Sequence, residues 1–300
     1  MNSILHHSHC PVCGSSSIRA FLSVKDYTLS GNHYTVWQCD NCTLRFTQDA
    51  PGVELIGGYY KSENYISHSN SSRGLINRLY LLVRRKTLRQ KRKLVCSITG
   101  KQHGSVLDVG SGTGSFVKEM LEHGWQVTGL EPDADARKIA KEHFNCELKN
   151  SDELFHLPSA SFDAITLWHV LEHIHDLGRY VEQLKRLLKK NGRLIIAVPN
   201  YTSLDAREYR EYWAGYDVPR HLFHFSPLSM AMLMEKMGMQ ILQHRPMWFD
   251  SFYVSLLSSK YKNGKVNWPG AVFTGLRSNL KAMNNKKECS SVIYVIGPLE

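Results

Sequence analysis

Three groups of residues in this 300-residue chain have types and spacings that can do chemistry. Cys10-Pro-Val-Cys13 and Cys39-Asp-Asn-Cys42 are two C-x-x-C pairs with 25 residues between them. Each pair turns two thiolates toward one point, and two pairs complete a tetrahedral sulfur shell for Zn2+. Four protein ligands leave no open position, so the expected zinc is structural. A thioredoxin-type redox site would instead need one C-x-x-C opening a helix after a strand. His6, His7 and His9 read as surface groups, with His9 a substitute ligand.

The second group is Asp108-Val-Gly110-Ser-Gly112-Thr-Gly114. It sets an acid at the end of an apolar run and glycines at alternate positions before a helical pattern. Such a turn lets backbone approach a ligand with no Cβ in the way. Dinucleotide dehydrogenases use a related loop, but the spacing here is G-x-G-x-G rather than G-x-G-x-x-G, which favours a ligand without a pyrophosphate. Glu131 ends the next apolar run, at the strand end where open α/β sheets bind ligands. Its alternative role is to cap the helix that follows.

The third group is histidine-rich. His169-Val-Leu-Glu172-His173 has the H-x-x-E-H form of an inverted zinc-protease motif, which requires both imidazoles on one helical face. Here the stretch follows a strand pattern, which argues against that reading. Asp217-Val-Pro-Arg220-His221-Leu-Phe-His224 is a second cluster. Histidine titrates near neutrality and suits a proton-transfer step, so His169 is a candidate base and His221 and Arg220 are further catalytic candidates, with a structural role the equal alternative for either.

The elements that must position these groups alternate between strand and helix from residue 104 onward. Strands are expected over 106–109, 127–131, 162–168, 193–198, 239–245 and 291–296. Helices are expected over 116–123, 134–144, 177–189 and 227–238, the last opened by a capping Ser226 and Pro227. This is the pattern of a parallel sheet with crossover helices. Residues 1–50 form the cysteine module, 51–100 a Gly/Ser loop and basic helix, and 101–300 the main domain. An insertion at about 246–290 could cover a substrate pocket.

The run D-V-G-S-G-T-G followed by an acid ending the second strand resembles class I S-adenosylmethionine-dependent methyltransferases. Ser161-Phe-Asp163 leading to Leu171-Glu172-His173 is similar to that family's fourth-strand region. The resemblance implies a Rossmann-like sheet with helices on both faces. It implies that Gly110, Gly112 and Gly114 line methionine and ribose, with Asp108 orienting the loop or the amino group. Glu131 would accept hydrogen bonds from both ribose hydroxyls, and Ser151 or Asp152 would meet the adenine. The loop after the fourth strand, where Trp168 stands, would back the sulfonium.

A similar ribbon ahead of a methyltransferase domain occurs in sugar methyltransferases, which implies a small-molecule or saccharide acceptor and O-methylation with help from a histidine. An rRNA or tRNA methyltransferase is the alternative suggested by the ribbon and the basic helix. Leu167-Trp168-His169 in place of an N-P-P-Y type loop opposes it. A non-catalytic S-adenosylmethionine- or partner-binding protein is a third reading, opposed by the intact glycines and Glu131.

Composition narrows the field further. At 42% hydrophobic the chain can bury a sizeable core, and it is not of disordered composition. The net charge of +10 is concentrated, because residues 73–93 hold nine Lys or Arg and no acid. Whole-chain charge therefore says little about nucleic acid. The basic stretch, with Ile76, Tyr80, Val83 and Thr87 on one face, reads as an amphipathic helix packed on the catalytic domain or as a surface for anions. No apolar run is long enough to span a bilayer, no signal peptide opens the chain, and the seven cysteines form no disulfide pattern. A cytoplasmic location is expected.

Overall fold

The computed structural model describes residues 4–60 and 75–299, with side chains from residue 83 onward in the helix that opens the second segment. Most of the expected Gly/Ser loop, and the side chains of Ile76 and Tyr80, lie outside the described residues. The chain divides into two compact units: Ile66–Trp168 with Glu182–Ile195, and Met1–Tyr65 with His169–Val181 and Ile196–Glu300. This division cuts across the boundaries expected at 50 and 100.

In chain order the first elements are β1 (Ile4–Leu5), β2 (Ile18–Lys25), β3 (His33–Cys39), β4 (Arg45–Thr47), β5 (Ala50–Pro51) and α1 (Val53–Ile56). There follow α2 (Leu75–Thr99), β6 (Ser105–Val109), α3 (Ser115–Leu121), β7 (Gln126–Leu130), α4 (Ala134–Phe144), β8 (Phe162–Trp168), α5 (Leu177–Leu187) and β9 (Leu188–Pro199). The last are α6 (Leu204–Tyr209), β10 (Phe223–His224), α7 (Pro227–Lys236), β11 (Met239–Pro246), α8 (Asp250–Asn263), α9 (Trp268–Asn284) and β12 (Ser291–Pro298).

The main sheet runs β11-β12-β9-β8-β6-β7. β6 is parallel to both neighbours, with Asp108 opposite Gly129 on one side and Thr166 on the other. Its residues 106–109 and those of β8 through 167 are buried, as expected for strands covered on both faces. β11 and β12 pair antiparallel. The third strand expected by the fold is reduced to one bridge, Leu130 with Lys149.

Local signals set the helix ends. Asp133 caps α4 by accepting from Ala136 N–H, and Asn145 closes it in the left-handed region at φ 52°. Ser226 and Ser229 form a reciprocal capping box on α7. The H-x-x-E-H stretch is not a helical face: His169 stands alone at φ 60° and Leu171–His173 is one tight 3-10 turn.

The cysteine module is a sheet in the order β10-β4-β3-β2. Its edge strand, Phe223–His224, comes from the second histidine cluster far along the chain. Sequence reading of residues 1–50 could not show that partner. The insertion is a helical hairpin, α8 and α9.

Candidate active site

The glycine loop follows β6 and turns into α3. Gly110, Gly112 and Gly114 sit at φ 70°, 52° and 77°, where a side chain would be strained. A Cβ on Gly114 would come within 2.9 Å of Ala140 Cβ, so this glycine is also needed for α3 to approach α4. A Cβ on Gly112 would meet nothing within 4 Å. The loop is therefore open on the side where backbone would meet a ligand.

Two carboxylates flank it. Asp108 is fully buried and accepts from Thr166 Oγ1 at 2.6 Å. Burial lifts its carboxyl to about 6, against the pull of that hydroxyl and of the Lys91 charge. Glu131 faces the loop: Oε2 accepts from Gly112 N–H at 2.7 Å and Oε1 from Asp133 N–H at 3.0 Å. Burial raises its pKa too, and the two backbone donors hold the rise in check. Ser151 is half-buried and Asp152 exposed, on a 3-10 turn opened by Asn150.

Trp168 packs edge-on against Phe116, with ring centroids 5.6 Å apart, and its indole Nε1 is buried without a hydrogen-bond partner among the described residues. Lys91 Nζ sits 4.2 Å over the Trp168 ring, and Arg84 donates to Ser115 Oγ at 2.5 Å. Arg92 pairs with Glu119 at 2.9 Å, both side chains largely covered. The described part of α2 thus packs on the glycine-loop unit, as the amphipathic reading expected. Lys91, Arg84 and Thr166 were not singled out from sequence, since nothing local marks one cation in a run of nine.

The histidines gather in the other unit. His173 Nδ1 lies 2.9 Å from the Arg220 carbonyl and 2.9 Å from Tyr60 Oη. His221 Nδ1 lies 2.9 Å from the Gly215 carbonyl. A carbonyl only accepts, so each Nδ1 carries hydrogen, and in the neutral ring the lone pair is on Nε2. The rings meet edge to face at 4.7 Å. Glu172 is fully buried beside them, and its Oε1 is paired with His169 Nδ1 at 3.3 Å. Glu172, His173 and His221 offer ligand atoms within 4.8 Å of one another. Burial and the neighbouring His221 lower His173 to about 4, so it is neutral at physiological pH.

His169 differs. Burial disfavours its charge, but Asp250 at 3.0 Å from Nε2 and Glu172 at 3.3 Å from Nδ1 outweigh that and raise its pKa to about 10. As an imidazolium it has no lone pair for an incoming proton, which is at odds with the role of base expected from sequence. Arg220 is wholly buried, bonded to Asp217 through Nε at 3.0 Å and a terminal nitrogen at 2.6 Å, and to Asp26 at 3.3 Å. It braces the chain from inside, which is the structural one of the two roles open to it from sequence. His224, buried beside Thr47, is held well below its ordinary pKa by that burial.

The four cysteine sulfurs converge, with Cys10 and Cys42 3.4 Å apart and Cys13 and Cys39 3.5 Å apart. The two turns are alike. Gly14 and Thr43, each following a second cysteine, are left-handed at φ 76° and 61°, and each returns its N–H to the carbonyl of the first cysteine. The Cys10–Cys42 hydrogen bond pulls Cys10 down to about 5 and pushes Cys42 up, so without a metal the two sulfurs share a proton. Chemistry and placement fit Zn2+.

The methyltransferase-domain family matches residues 81–244, more than half of the chain. The chain belongs to that family, the class I S-adenosylmethionine-dependent methyltransferases. An uncharacterized methyltransferase of Anoxybacillus flavithermus is 31% identical over 120 residues, covering 37% of this chain and 55% of that protein. A ubiquinone biosynthesis O-methyltransferase of Xanthomonas oryzae pv. oryzae is 32% identical over 104 residues, covering 32% and 44%. The chain thus spans about half the length of the curated relatives it matches. Among solved structures, a putative sarcosine dimethylglycine methyltransferase from Galdieria sulphuraria aligns with a TM-score of 0.49 at 14% identity, over 73% of this chain and 87% of that one.

Proposed function

We propose that this chain methylates an oxygen of a small-molecule or saccharide acceptor from S-adenosylmethionine, with His221 taking up the hydroxyl proton. The observation that carries this reading is the tautomer of two neighbouring imidazoles. Backbone carbonyls hold hydrogen on Nδ1 of both His173 and His221, which puts the lone pair of each neutral ring on Nε2, near the buried Glu172 carboxylate. That arrangement suits an acceptor that brings hydroxyl donors. Glu172 would stabilise the imidazolium that forms on His221.

S-adenosylmethionine, when bound, supplies an electrophilic methyl group on a positively charged sulfur. Gly110, Gly112 and Gly114 would line it by backbone. Glu131 uses one lone pair of each oxygen on the protein and retains one on each for a ribose hydroxyl. Asp108, held by Thr166, would orient the loop, with Trp168 at the sulfonium side and Ser151 or Asp152 at the adenine. His169, already protonated, would neutralise Glu172 and Asp250 rather than accept a proton. Zn2+ would be held by Cys10, Cys13, Cys39 and Cys42 as a structural ion.

The test is transfer of labelled methyl into a metabolite extract, comparing wild type with His221→Ala. Loss of a general base lowers turnover by about 10²–10⁴-fold, while calorimetric binding of S-adenosylmethionine stays unchanged. Equal transfer by both proteins would remove His221 from the reaction.

A further inference from the structure

The hairpin α8–α9 is built inside out. α9 turns its small and hydroxyl residues inward: Ala271, Thr274, Gly275, Ser278 and Ala282 are buried. Its outward face carries Trp268, Phe273, Leu276, Leu280 and Met283, of which Phe273 is 61% and Met283 67% exposed. α8 likewise buries Ser251, Ser255, Ser258 and Ser259, while Tyr253 is exposed. A surface helix of a soluble domain shows the reverse.

The rotation of α9 is fixed by specific contacts. Ser278 Oγ donates to Asp205 at 2.6 Å and Thr274 Oγ1 to Glu208 at 3.1 Å. A Cβ on Gly275 would come within 2.8 Å of Phe252, so the two helices touch closely along the small face. The large apolar side chains cannot turn inward without breaking these contacts. Scattered exposed leucines need no explanation, but a continuous stripe over four turns does.

Charge indicates what covers it. From Asp250 to Glu288 the chain holds seven Lys or Arg against those two acids, and of the seven Arg277 and Lys281 are paired, with Glu208 and Glu288. Lys260, Lys262 and Lys265 cluster at the turn of the hairpin, and Lys286 and Lys287 follow its end. All five are exposed. A second copy of the chain would bring two such cationic surfaces together in a symmetric interface, which like charges oppose. No helix of the described residues is long and apolar enough to cross a bilayer.

We propose that the outward face of α8–α9 is an interfacial docking surface for an anionic lipid bilayer. The apolar stripe of α9 lies at the acyl boundary, Trp268 sits at headgroup depth, and the flanking lysines meet lipid phosphates. The interaction is reversible and salt-sensitive.

Flotation of the full chain with vesicles tests this. Binding to phosphatidylcholine vesicles containing phosphatidylglycerol should exceed binding to pure phosphatidylcholine at least tenfold. The double substitution F273S/L280S, at two exposed positions, should cut the anionic-vesicle binding at least tenfold with an unchanged melting temperature. Absence of binding to anionic vesicles at low salt would overturn the proposal. So would full binding by F273S/L280S, which would place the contact on another basic surface such as α2. A dimer in sedimentation equilibrium that the same substitutions dissociate would assign the face to a second copy and equally overturn it.

Discussion

The glycine loop and the histidine cluster are made by opposite means. The loop is one continuous strand–turn–helix–strand passage, Asp108 to Glu131, and its contact surface is backbone held by glycine conformations and two carboxylates. The cluster draws Tyr60, Glu172, His173, Gly215, Arg220 and His221 from three separated stretches, and its contact surface is side chains. Backbone chemistry survives most substitutions provided the glycines stay. A side-chain cluster changes with every acceptor. The difference explains why the family match identifies the methyl donor while the acceptor must be argued from imidazole geometry.

The strongest way to break that comparison is to attack the metal module. Its sheet takes β10 as an edge, and β10 begins two residues after His221. Thiolate zinc sites in small domains contribute on the order of 10 kcal/mol of binding free energy to folding. If the four cysteines hold the proposed Zn2+, treatment with a chelator, or Cys39→Ser, should lower the melting temperature sharply and abolish methyl transfer. If calorimetric binding of S-adenosylmethionine disappears in the same step, the two sites are not separately built. Arg220→Ala comes next. It strips the cation from Asp217 and from Asp26, an acid whose oxygens also hold the β2–β3 turn through Thr28, Leu29 and Ser30. Breaking a buried pair this way costs about 3–5 kcal/mol, read by urea unfolding. A near-neutral result would return Arg220 to the catalytic candidates.

What the sequence made legible follows the same divide. α4 and β8 have the bounds that capping and apolar runs implied, 134–144 and 162–168, because their signals are local. Glu131 could be placed at the loop from its position at a strand end alone. The pairing of His169 with Asp250 joins residues 81 apart, and the β10 edge of the ribbon joins residues farther apart still. Neither leaves a periodic trace. The H-x-x-E-H spacing makes no helical face, in line with its place after a strand, because a left-handed His169 follows β8 and no α-helix starts there. In α9 the apolar stripe is visible by spacing, but spacing cannot say which face turns inward. Ser278 and Thr274, reaching Asp205 and Glu208, decide that.

Smaller effects sharpen the comparison from each side. On the loop side, Glu131→Ala removes the carboxylate proposed to accept from two ribose hydroxyls. At about 1.5 kcal/mol for each bond to a charged group, affinity for S-adenosylmethionine should fall roughly a hundredfold by calorimetry. An unchanged affinity would leave Glu131 as a helix cap only.

On the cluster side the expected signature is a pH slope. His169 gains Asp250 and Glu172 on folding, and its pKa rises from 6.5 to about 10. The folded state therefore holds a proton that the unfolded chain has released. Its stabilisation is complete below about 6.5 and is lost as pH climbs toward 10. His173 runs the other way: burial and His221 lower it to about 4, so stability declines as pH falls from 6.5 toward 4. Melting curves of wild type and His169→Gln compared between pH 7 and 10 cancel the titrations common to both. The wild type should lose stability more steeply, and the variant should be less stable at pH 7, where Glu172 and Asp250 have lost their counter-charge. Parallel curves would mean a neutral His169 with a free lone pair, and the base would then have to be sought among three imidazoles rather than assigned to His221.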